Sequence, residues 1–374
     1  MLVGNLWPIL NPWHTLFDRM CNRKDQRREF SRKIQPYPQR LNAWPAVVLF
    51  LGFAWIELIF PFRARPSTIS VLILSYSVLT WAGMYRYGAE VWLKNVDPFN
   101  IIFALYARFA PLAPGATDSA NGLGRGLILR PYAAGLLQPG GETVSLSVAA
   151  FILAMLAMVL FDGLLGSAHW LSLENIVHEL NPKLGDAGWI LVHSAGLLVT
   201  WGIFLVMFLG TCKFMSHLTK TEQSTRSFAC TFALTLIPIV IGYQFAHTLP
   251  FLLVQGQYIV PLLSDPFGYG WNLFGTKNYQ VDIAIINTRT AWYLAVVAIV
   301  AGHVVSVYLA HVAAVRLIDN RTAALKALIP MTALMVTYTV VSLSILAEPL
   351  VKYTGPNNEI IWLPAPLWRP PSLG

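Results

Sequence analysis

His193, His247, His303 and His311, together with Asp162, Glu57 and Glu348, sit in or beside apolar runs long enough to cross a bilayer. An ionisable side chain in hydrocarbon costs on the order of 3 kcal/mol, so such groups face a packed interior, a cavity or a metal rather than lipid. Neutral imidazole and carboxylate together suit zinc or another divalent first-row ion. Zinc so held lowers the pKa of its bound water to about 7 and supplies a hydroxide nucleophile. The strongest arrangement is a site built from His247, His303 and Asp162, with His193 and Asp265 as further ligands or supporting groups. In it the histidines hold the metal, and Asp162 or Asp265 orients the water. Gln244, one turn from His247, is placed to fix the imidazole tautomer or to bond a backbone carbonyl. Each residue also has a plainer role: a hydrogen-bonded packing histidine, a turn former at Asp265, a solvated helix end at Glu57. His303 and His311 are eight residues apart, about 80° around a helix and two turns away, so they do not hold one ion together.

These groups need a scaffold, and composition names it. The chain has 374 residues, 56% hydrophobic and 12% charged, with a mean hydropathy of +0.56, outside the range of soluble globular domains. Runs of about 20 apolar residues span the hydrocarbon core. Seven occur, at 44–61, 67–86, 144–164, 188–210, 228–252, 291–313 and 327–347. The fold class is therefore all-α, a polytopic transmembrane bundle of about seven spans with interfacial helices. With the N-terminus inside, inner segments hold 19 of the 26 Lys and Arg residues and outer segments 7, so the positive-inside rule selects N-in and C-out. This topology puts Asp162, His193, His247, Glu57 and Glu348 in the outer half of the membrane and His303 near its middle. The net charge of +8 is thus an orientation signal with anionic-lipid contact at 23–33, and no folded basic domain points to nucleic acid. Cys21, Cys212 and Cys230 fall on or near the inner side as reduced thiols without metal or disulfide spacing.

The connecting segments divide similarly. Residues 1–43 form an inner or interfacial segment, punctuated by Pro8 and Pro12. An inner loop, 88–143, opens with an interfacial helix broken at Pro98 and ends in a Gly- and Pro-rich stretch with short β-structure around Leu127–Arg130. Outer loops run over 165–187, where NIVHEL predicts a short helix, and 254–290, where Pro266, Gly268, Gly270 and Gly275 predict tight turns. The transmembrane domain is 44–347, and 348–374 is an extended outer tail.

GNLWPILNPWHTLF, WPAVVLFLGFAWIELIFP, DPF at 97–99, LFDG at 160–163, IPIVIGYQFAH at 237–247, LSDPFGYGWNLFGT at 263–276 and AGHVVSVYLAH at 301–311 together resemble bacterial integral membrane proteins of the fenitrothion hydrolase family. The resemblance covers most of 4–313. It implies hydrolysis of an organophosphorus triester at its P–O–aryl bond in a bacterial inner membrane, without assigning catalytic residues. It also implies more hydrophobic sequence ahead of GNLWP than the three residues present, hence further N-terminal helices.

The expected function is a membrane-embedded, metal-assisted hydrolase taking an apolar small-molecule substrate laterally from the lipid bilayer. Two other classes use the same intramembrane residues. A proton-coupled transporter predicts internal repeats and broken helices at mid-membrane, and no repeat is visible. A haem-binding or accessory subunit predicts two histidines on facing helices, for which His193 and His247 are the nearest fit.

Overall fold

The computed structural model describes residues 4–21, 34–114, 126–137, 144–219 and 223–347, with the backbone of 352–354 and 360–362. The basic run at 23–33 and Glu348 lie outside the described residues. Two short helices, α1 (Trp7–Leu10) and α2 (Pro12–Cys21), precede α3 (Trp44–Leu58), α4 (Pro66–Tyr87), α5 (Ala89–Asn95) and α6 (Pro98–Phe109). Strands β1 (Leu112–Pro114) and β2 (Leu127–Leu129) pair antiparallel, with Leu112 opposite Leu129. Then come α7 (Leu146–Leu165), α8 (Ala168–Leu180), α9 (Gly185–Thr219), α10 (Thr225–Thr235), α11 (Ile237–Gln255), α12 (Ile259–Ser264), α13 (Thr288–Leu317) and α14 (Arg321–Ala347). A final hairpin pairs β3 (Lys352–Thr354) with β4 (Ile360–Trp362). The molecule is an all-α polytopic bundle. Among the described residues six helical stretches are long and apolar enough to cross a membrane, and the first expected span is the shorter apolar helix α3.

α7 is the hub. Ser145 caps it by accepting from Val148 N–H, and no charge interrupts it before Asp162. A helix apolar all round belongs in an interior, and α7 packs against α3, α9, α10, α11 and α14. Ala149, Ala150, Ala154 and Ala157 keep it slim. α3 meets it through Ala46, Val47, Phe50 and Ala54, with the Phe50 and Phe151 rings 5.0 Å apart.

α11 and α13 pack backbone against backbone. A Cβ on Gly242 would lie 2.6 Å from the Ala298 carbonyl oxygen, and one on Gly302 would lie 2.6 Å from that of Pro238. Small residues four apart on both helices let the backbones touch, the packing device of membrane bundles. The expected single run 228–252 is divided at Leu236, because Pro238 has no N–H to continue the helix from α10. The expected turns of 254–290 begin only after Ser264, since the glycines that demand them start at Gly268.

The chain does break between α5 and α6. Asp97 caps α6 through Asn100 N–H at 3.1 Å and accepts from the Tyr76 hydroxyl at 3.0 Å. The Arg130 guanidinium closes the other end of α6, donating to the carbonyls of Ala107, Arg108 and Ala110. Asp97 is buried, and that burial pushes its carboxyl above the usual range against the hydrogen bonds that favour its charge. A raised acid pKa means the native state holds the proton more tightly than the unfolded chain. Stability is therefore greatest below the ordinary carboxylate pKa and falls as pH rises through the window up to the raised value. Asp97→Asn keeps an oxygen for Asn100 and Tyr76, so its melting temperature should lose this pH dependence above the ordinary carboxylate pKa of about 4. Parallel melting curves for wild type and variant would remove Asp97 as the source.

Candidate functional site

Three helix ends meet at one end of the bundle. Asp162 lies in the last turns of α7, whose Gly163 admits Ile345 of α14 against its backbone. His247 lies on α11 above the glycine seam, and its Nε2 meets Asp162 Oδ2 at 2.5 Å. Glu57, near the end of α3, acts electrostatically on both, with Arg63 beyond it. The His247 side chain is 52% exposed and that of Asp162 23%. A carboxylate against Nε2 holds the hydrogen there and leaves the Nδ1 lone pair for chemistry. His193 and His303 instead use Nδ1 on carbonyls one turn earlier, those of Trp189 and Ile299, both at 2.8 Å.

The other expected ligands are elsewhere. His193, on α9, is buried among Trp170, Trp189 and Glu174: its Nε2 lies 3.0 Å from Glu174 Oε1 and 3.3 Å from Trp170 Nε1. Trp170 and Glu174 come from α8, the helix predicted around NIVHEL, which folds back over the bundle. His303, on α13, is buried edge-on to Tyr243, their ring centroids 5.9 Å apart. Asp265 is occupied by its own loop, accepting from Tyr269 N–H at 2.9 Å and Gly270 N–H at 2.7 Å, the turn-forming role open to it from sequence. Gln244 donates to Thr248 at 2.8 Å rather than orienting His247.

Among the described residues no three His, Cys, Asp or Glu side chains are grouped to hold one metal ion. His193, His303 and Asp265 each have a local partner and do not group with His247 and Asp162 among the described residues. Sequence reasoning missed the polar groups around His303. The half-buried Tyr243 ring meets the His303 ring, and among the described residues His303 Nε2 and the buried Ser306 hydroxyl one turn on have no hydrogen-bond partner. Their only sequence signal is the i, i+3 spacing of His303 and Ser306. No protein-family model, curated protein or solved structure matches this chain.

Proposed function

We propose that the chain is a membrane-embedded hydrolase of apolar organophosphorus triesters, with His247 as general base and Asp162 as its positioning residue. The observation that carries this reading is the 2.5 Å contact between Asp162 and a half-exposed His247 on separate helices. A carboxylate on one imidazole nitrogen fixes the tautomer and stabilises the imidazolium that forms when the other takes a proton. In the proposed step Nδ1 of His247 takes a proton from water as its oxygen bonds to phosphorus. The P–O–aryl bond breaks and the aryl oxide leaves. No step is routed through a metal. Phe245 and Phe251, exposed on the same helix, suit an apolar substrate arriving from the bilayer side. The resemblance to the fenitrothion hydrolase family supplies the substrate class, and with the positive-inside bias it puts the site at the outer face of a bacterial inner membrane.

Purified protein in phosphatidylcholine vesicles should release nitrophenolate from an apolar nitrophenyl phosphorothioate triester. Release no faster than from protein-free vesicles would remove the reading. So would a Soret band stoichiometric with protein, which assigns the histidines to haem.

A further inference from the structure

After Ser264 the chain presents aromatic rings outward on a backbone that bonds many of its amides internally. Phe267, Tyr269 and Trp271 form a three-ring cluster with centroids 5.6–6.1 Å apart, yet Phe267 is 68% and Tyr269 74% exposed. Gly268, Gly270 and Gly275 adopt positive φ of 73°, 83° and 73°, turning the chain beneath the rings. Asp265 accepts from the amides of Tyr269 and Gly270. The buried Ser264 hydroxyl accepts from those of Phe274 and Thr276, and Asn272 from that of Lys277. Thr276 and Lys277 return bonds to the carbonyls of Val260 and Gly270. Each amide bonded within the loop is one that does not need water, which lowers the cost of placing the loop in a low-dielectric layer.

Position names the partner. The cluster continues the exposed apolar surface of α12, where Ile259, Leu262 and Leu263 lead into it from the membrane-crossing stretch 225–264. Tyr and Trp rings concentrate where apolar chains meet headgroups. We propose that residues 265–277 form an aromatic foot that seats Phe267, Tyr269 and Trp271 in the interfacial layer of the bilayer, at the end of the bundle that carries His247 and Asp162. The occupant is lipid, at the level of the glycerol and upper acyl chain.

The test uses the full chain in phosphatidylcholine vesicles. Phe267→Cys, with Cys21 and Cys230 as serine and Cys212 as alanine, carries a bimane label. The label should be quenched severalfold more by nitroxide lipid spin-labelled near the carbonyl than by aqueous iodide. Asp265→Ala, which frees the Tyr269 and Gly270 amides, should shift it toward iodide. Quenching by iodide alone would overturn the proposal, since the loop would then stand in water. Quenching by neither would also overturn it, since protein, a second copy included, would then cover the rings. Should the cysteine-free chain not fold, Trp271→Phe in the otherwise native chain decides. The emission per protein that brominated lipid removes should be smaller than in wild type, while the unquenched emission stays the same; an equal quenched emission with a loss of unquenched emission overturns the assignment.

Discussion

Replacing His247 with alanine should lower triester hydrolysis about 100- to 10,000-fold, the usual contribution of a positioned base, while leaving the helical content of the purified protein unchanged. The side chain is half exposed and its main partner is a carboxylate that water can also solvate, so the fold loses little. Asp162→Asn should cost less than His247→Ala. The amide retains an oxygen for Nε2–H but no charge to stabilise the imidazolium, so the loss should fall on kcat with KM nearly unchanged. Combining the two substitutions should be no worse than His247→Ala alone, because Asp162 acts only through that imidazole. Multiplicative losses in the double variant would mean the residues work separately, and an active His247→Ala would remove the base.

The second large effect is on assembly. Gly302→Val should destabilise the detergent-solubilised protein by about 1–3 kcal/mol or more, the scale of overpacking in a filled interior, and Gly242→Val should do likewise. The new Cβ meets the Pro238 carbonyl in one case and that of Ala298 in the other, both at 2.6 Å, and main chain cannot swing aside as a side chain can. Gly210, on α9, has nothing within 4 Å of its Cβ position. Gly210→Ala should therefore match or exceed wild type, helped by up to about 1 kcal/mol of helix propensity. Thermal loss of the monodisperse peak compares all three, and equal melting for Gly302→Val and Gly210→Ala would show that the seam does not hold α11 to α13.

Much of the scaffold was legible because lipid imposes a length and a polarity on any crossing segment. The apolar runs, the break before Pro98, the short pairing around 127–129 and the helix containing NIVHEL all follow from local rules. The site was legible only in part. Asp162 and His247 belonged to the same end by topology, and the structure brings them into contact. That Glu174 would reach His193 was not readable, because it depends on α8 folding back across α9 rather than trailing into solvent. Nor was the fate of His303, since bonding to the carbonyl four residues back is a rotamer choice made by the neighbouring helix. Asp265 carried its answer in SDPFG, where the turn role and the catalytic one were indistinguishable by composition.

The slimness of α7 bears on how such a chain tolerates change. Lipid tails are as apolar as leucine, so a helix enclosed by its neighbours gains nothing from greasier side chains and depends on fit. Ala149, Ala150, Ala154 and Ala157, all nearly inaccessible, are spacers that set how tightly the surrounding ring can draw together. Exchanging one for leucine improves every hydrophobicity profile of the segment while wedging the ring apart. At the centre of this protein, drift is constrained by volume, and substitutions that look most conservative on a hydropathy scale are those the hub can least absorb.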